Sequence, residues 1–236
     1  MSENENSTME TTETTTAKAY PAAGPFRVPM PGGVEVEFSR DLTAKELDSM
    51  FNANNRMIER KGRLAPVADG LGDTKAAEIF DALAVRCTGL RDYKTKEPVD
   101  GEGEGWKAGL PDYKKRELVD ALDAFDVDDV VCGLGGFRVE AVARANGATY
   151  QVAFTLRMPS TEEKAALDKA KTLHKKGGFR LFRDWNSAMA RLFDACAEGV
   201  EGYEGDTHAK QLEAVPASHK QAAVKAITGS GDDFLG

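Results

Sequence analysis

Three histidines and three cysteines are the side chains of this sequence best suited to hold a metal or to act as nucleophiles. They are His174, His208 and His219, with Cys87, Cys132 and Cys196. Zinc sites show in a sequence as close pairs such as C-x-x-C, because two ligands must reach one ion from one turn or one helix face. The sequence contains no such pair. An odd number of cysteines without that spacing reads as reduced thiols in an apolar interior. Gly133-Leu134-Gly135-Gly136 is rich in glycine but lacks G-x-G-x-x-G spacing, and it stands before a hairpin pattern where a phosphate loop would open a helix. It reads as a tight turn. Gly101-Glu102-Gly103-Glu104-Gly105 presents carboxylates that would repel a phosphate. Neither G-K-[S/T] nor G-x-S-x-G occurs. Pairs such as Asp128-Asp129 and Glu162-Glu163 lie among 39 acids, too many to single out a general acid, and they read as solvated faces or helix caps. No enzyme activity is expected, and no catalytic, cofactor or metal residues.

Charge offers more. Arg60-Lys61 with Arg63 and Lys175-Lys176 with Arg180 are two basic clusters at corresponding places. Basic residues beside Gly are what a helix C-terminus attracts, the cations facing the dipole and Gly taking the left-handed position, so both clusters read as helix stops. They would also grip an acidic partner. Trp106 and Tyr113 flank the start of one helix pattern, and Trp185 follows Phe179 and Phe182 ahead of another. Such rings fill cores or, where exposed, anchor interfaces. The candidate partner-binding residues are Arg60, Lys61, Arg63, Trp106, Tyr113, Lys175, Lys176, Arg180 and Trp185.

The elements that must position these residues recur along the chain. FRVPMPGGVEVEF from Phe26 and FRVEAVARANGATYQVAF from Phe137 alternate apolar and polar residues around Pro31-Gly32-Gly33 and Asn146-Gly147, which predicts β-hairpins. Each is followed by a capping box, Thr43 with Glu46 and Ser160 with Glu163. Two amphipathic helices share the string Phe-Asp-Ala, Phe80 to Ala82 and Phe193 to Ala195, and two later helices begin with Pro111 and Pro216 just inside their starts. The expected fold is α+β, mainly α, with two tandem similar units, each a β-hairpin followed by about three helices. Their expected bounds are 26–128 and 129–228. They stand between an acidic Ser/Thr-rich leader over 1–25, expected to be disordered, and a flexible C-terminal tip over 229–236. An insertion, Arg91 to Gly109, is expected as a surface loop in the first unit, and Asp126 to Asp129 as the linker.

Composition bounds the function. The chain has 236 residues, 41% hydrophobic and 30% charged, with a net charge of −8. No apolar run approaches the ~18 residues of a membrane span, and no secretory signal opens the sequence. The acidic balance argues against wrapping nucleic acid over the whole surface. Val36 to Glu46, then Cys87-Thr88-Gly89-Leu90 with LPDYKKRELVDAL, and Val200-Glu201-Gly202-Tyr203 with VPASHKQAAVKAI, together resemble the tail assembly chaperones of long-tailed bacteriophages. The resemblance spans most of residues 26–228. It implies a non-enzymatic protein of the infected bacterial cytoplasm that keeps the tape measure protein soluble while tail-tube subunits polymerise around it. A structural component of the tail or neck, found in the virion, is the alternative within that setting. From another class comes a single-stranded DNA-binding or replication accessory protein, motivated by Asp232-Asp233-Phe234 and by aromatics near basic residues. That reading expects Trp185, Phe179 and Arg180 on one exposed face.

Overall fold

The computed structural model describes residues 16–17, 19–122 and 124–229. Most of the expected leader and nearly all of the expected tip lie outside the described residues. In chain order the elements are β1 (Thr16–Ala17), β2 (Phe26–Met30), β3 (Val34–Phe38), α1 (Ala44–Asn54), β4 (Met57–Arg60), β5 (Arg63–Pro66), α2 (Leu71–Leu83), β6 (Ala84–Thr88), α3 (Gly105–Ala108) and α4 (Asp112–Leu122). There follow β7 (Phe125–Gly133), β8 (Gly136–Ala145), β9 (Ala148–Arg157), α5 (Thr161–Ala170), β10 (Leu173–Lys176), β11 (Phe179–Phe182), α6 (Trp185–Cys196), β12 (Ala197–Glu201), α7 (His208–Ala214) and α8 (Ala217–Thr228).

The expectation of a mainly helical chain built from units of one hairpin and about three helices is overturned. Helix and strand take comparable shares of the described residues, 38% and 33%. Among the described residues there are three sheets: β1-β9-β8-β7 with β12 also on β9, β10-β11-β4-β5, and β2-β3-β6. The strands that periodicity missed are short or irregular. Segments read as the ends of α1 and α5 form the hairpins β4–β5 and β10–β11. The segments directly after α2 and α6 are strands, β6 and β12, which pair with β3 and β9. The expected acidic linker is the first half of β7. The expected surface loop also carries structure: Trp106 in α3 is buried, edge-on to Phe80 at 5.7 Å.

Local chemistry explains why matching elements form. Thr43 and Ser160 each accept a hydrogen bond from the backbone N–H of a glutamate three residues on, whose carboxylate accepts from the cap's own N–H. Each such cap contributes about 1 kcal/mol. An arginine completes both arrangements, Arg40 forking onto Glu46 with bonds of 2.8 Å and Arg157 onto Glu163 with bonds of 2.8 and 2.6 Å. Burial pushes the Glu46 carboxyl up, but the bonds from Arg40 and Thr43 outweigh it and hold it at about 2. Gly89 and Gly202 follow the closing strands at positive φ, and a β-carbon there would lie 2.4 Å from the carbonyl oxygens of Gly33 and Gln151.

The core is continuous through both halves. Phe38 meets Phe80 edge-on at 5.7 Å, and Phe154 meets Phe193 at 4.9 Å. The aspartate after each of these helix phenylalanines accepts from a lysine of the packed helix, Lys115 to Asp81 and Lys220 to Asp194, both at 2.7 Å. Cys87 and Cys196 are buried, whereas Cys132 is exposed, against the expectation of buried thiols. The leader expected through residue 25 gives way to the fold earlier: Thr16–Ala17 lies parallel on β9, and Tyr20 is fully buried.

His219 is also fully buried, stacked on Phe125 at 4.2 Å, with its Nδ1 2.9 Å from the Tyr203 hydroxyl. Desolvation pushes its pKa down to about 3. An unfolded histidine titrates near 6.5, so below that pH the unfolded chain takes a proton that the folded chain refuses. The stability this neutral ring contributes is complete above about pH 6.5 and is lost as pH falls toward 3, at roughly 1.4 kcal/mol per unit. In urea titrations at pH 7 and pH 5, His219→Phe is expected to lose about 2 kcal/mol less on acidification than the parent chain. Equal losses would show that the folded ring accepts the proton.

Candidate functional site

The two basic clusters are hairpin turns, not helix stops. Lys61 and Gly62 have φ of 51° and 76°, and Gly177 and Gly178 have φ of 57° and 87°. Two successive left-handed residues make the tight turn whose twist suits a hairpin. The strand order then brings them together. β11 pairs antiparallel with β4, Arg180 opposite Met57, so both turns lie at the same end of one four-stranded sheet to which each half of the chain contributes a hairpin.

Residues paired across strands share a face, as do residues two apart along a strand. Arg60 pairs with Arg63, and Lys176 with Phe179. The register between β11 and β4 puts all four on one face, with Leu181 and Ile58. Lys175 and Arg180 stand on the other, where Arg180 meets Glu59 at 3.1 Å. Lys61 sits at the turn itself.

The face with Arg60, Arg63 and Lys176 continues into a groove of about 580 Å³ between α1, α2, α6 and the sheet. Lys45, Arg56, Lys75, Lys176 and Arg191 line it, against the acids Asp48 and Asp184. Asp48 is buried and engaged: its carboxylate accepts from the backbone N–H groups of Asn186, at 2.6 Å, and Ser187, and from the Ser187 hydroxyl. It thus caps α6 from across the molecule. Asn52, one turn along α1, accepts from the Phe182 N–H at 2.9 Å. The Arg56 guanidinium lies 4.6 Å from the centre of the Phe179 ring and pairs with Asp69, while Lys75 pairs with Glu78. Among the described residues, Lys45, Arg60, Lys61, Arg63, Lys175, Lys176 and Arg191 make no ion pair. A chain of net charge −8 therefore carries a concentrated cationic surface. Such a surface attracts an anionic chain segment, and its electrostatics speed encounter more than they tighten the final complex.

The other candidates fall elsewhere. Trp185 is the fully buried first residue of α6, with the Lys171 ammonium 5.5 Å from its ring, so it is core and no partner anchor. Trp106 is likewise core. Tyr113 is 56% exposed on α4, beside Lys114 and apart from the groove-lining residues. Trp185, Phe179 and Arg180 share no exposed face. The reading of basic clusters alone missed Lys45, Arg56, Lys75 and Arg191. Lys45, Asp48 and Asn52 follow one another at helical spacing, a polar stripe on α1 that could have been marked. Among the described residues no group of three His, Cys, Asp or Glu is placed to hold a metal, and no helix is long and apolar enough to cross a membrane.

No family model matches this chain, and no curated protein or solved structure shows significant similarity to it.

Proposed function

We propose that this protein is a non-enzymatic assembly chaperone or adaptor of a bacteriophage tail, holding a tail protein, foremost the tape measure protein, in the host bacterial cytoplasm. The observation that carries the binding role is the convergence of Arg60, Arg63 and Lys176, from the two basic turns, on one face that opens into the cationic groove. The phage setting rests on the resemblance of Val36 to Glu46, Cys87 to Leu90 and Val200 to Tyr203 with the helices that follow. The partner surface that fits the groove is acidic, and the charged exterior keeps such a complex dispersed.

The test is co-purification of the full chain from producing cells, with mass spectrometry of bound proteins and a search for the chain in finished particles. A long helical tail protein is expected with it, and the particles are expected to lack it. Arg60→Gln, Arg63→Gln and Lys176→Gln together remove three exposed cations without touching the core, and are expected to weaken partner binding by roughly 10- to 100-fold at unchanged unfolding temperature. Stoichiometric presence in particles would make the protein a structural tail or neck component. A second reading, single-stranded DNA binding, has Phe179 in its favour, an aromatic ring on the same face as three cations. Recovery of nucleic acid without a tail protein would install that reading instead.

A further inference from the structure

A second pocket lies away from the cationic groove, between the end of β9, α5 and the last turn of α8. It encloses about 310 Å³. Phe137, Met158, Leu167 and Ile227 supply apolar walls, Lys164 and Lys171 supply ammonium groups, and the Asp168 carboxylate lies 3.7 Å from that of Lys171. Met158 is 39% exposed, an unusual position for a thioether that packing elsewhere would cover. Lys164 makes no ion pair among the described residues.

The chain itself arrives at this pocket. Ile227 and Thr228 line it, and Gly229, with φ of 62°, ends α8 and turns the backbone. Beyond come Ser230-Gly231, a spacer with little steric preference, and then Asp232-Asp233-Phe234-Leu235. Phe234 stands five residues beyond Gly229, a reach of at most about 18 Å. The order of chemistries matches the pocket: two carboxylates for the lysines, then an aromatic and an aliphatic side chain for the apolar walls.

We propose that this pocket receives residues 232–235 of the same chain, Phe234 and Leu235 covering Met158 and Phe137 while Asp232 and Asp233 meet Lys164 and Lys171. The contact ties the end of α8 to α5 and removes an apolar patch from solvent. Tethering places the segment at an effective concentration near millimolar, so weak complementarity suffices. The inference is independent of what the cationic groove binds.

The experiment uses the full chain. Carbon-13 methyl resonances of Met158 are compared between the parent and Phe234→Ala, at two protein concentrations. Loss of a ring-current shift at Met158 in the variant, independent of concentration, is the expected result. In a Cys132→Ser background, Met158→Cys should also be alkylated about tenfold faster when Asp232→Lys and Asp233→Lys are added. An unmoved Met158 methyl with equal alkylation rates would overturn the proposal. A shift that appears only at the higher concentration would overturn it too, by assigning the pocket to a second copy.

Discussion

Tyr20→Ala is expected to lower unfolding free energy by about 3–5 kcal/mol, the range for truncating a large buried aromatic. Tyr20 has no exposed surface, and its ring lies 5.1 to 6.0 Å from the rings of His219, Tyr150, Tyr203 and Phe26. Its backbone is fastened as well, donating to the Gly202 carbonyl at 2.6 Å and accepting from the Glu204 N–H at 2.9 Å. Tyr20→Phe keeps the ring and loses only the hydroxyl, so it should cost about 1 kcal/mol. Urea titration of both variants checks the pair. A loss below 1 kcal/mol for the alanine variant would mean that the segment before β2 is not part of the core.

Asp48→Ala is expected to cost about 2–3 kcal/mol, because it removes a helix cap and leaves the N–H groups of buried Asn186 and half-buried Ser187 without their acceptor. Asp48→Asn keeps one acceptor and should recover part of the loss. The bond from the Asn186 N–H spans 138 residues of sequence, so the effect reports on how the two halves are joined. Thermal unfolding that stays within 0.5 kcal/mol of the parent, on the order of the effect of a surface change, would show that α6 is capped without it.

Local signals in the sequence were readable where side chain and backbone act within a few residues. The capping boxes at Thr43 and Ser160 form, Asn146-Gly147 makes the turn between β8 and β9 with φ of 54° and 74°, and the segments after Pro111 and Pro216 are helical. The arginines completing both caps are equally legible, at Arg40 and Arg157, six residues before each glutamate. The small hairpins failed for a physical reason. A basic residue followed by Gly serves a helix end and a left-handed hairpin turn alike, and four-residue strands such as Met57–Arg60 are too short for alternation to decide. The helical share was overcounted for a related reason: Ala84–Thr88 and Ala197–Glu201 follow their helices without a breaker, and pairing with β3 and β9 overrides local propensity.

The candidate surface was only half visible. Both basic clusters could be named, but their meeting depends on β11 lying against β4, a contact that no local pattern encodes. The groove cations Lys45, Lys75 and Arg191 come from three helices and acquire common meaning only once these pack. The two tryptophans misled because aromatic side chains look the same in a list whether they end in a core or on a surface.

The seam between β11 and β4 also bears on how the chain acquires its shape. Each hairpin closes on its own within microseconds, whereas the Arg180 to Glu59 contact across the seam must wait for a loop of 121 residues. During synthesis, β4 and β5 therefore emerge long before their neighbours, and the β4 edge that β11 covers stays open for as long as the ribosome takes to add more than a hundred residues at about 5–20 per second. The like charges of Arg60, Lys61 and Arg63 at the end of that edge repel a second copy of the same hairpin that approaches it.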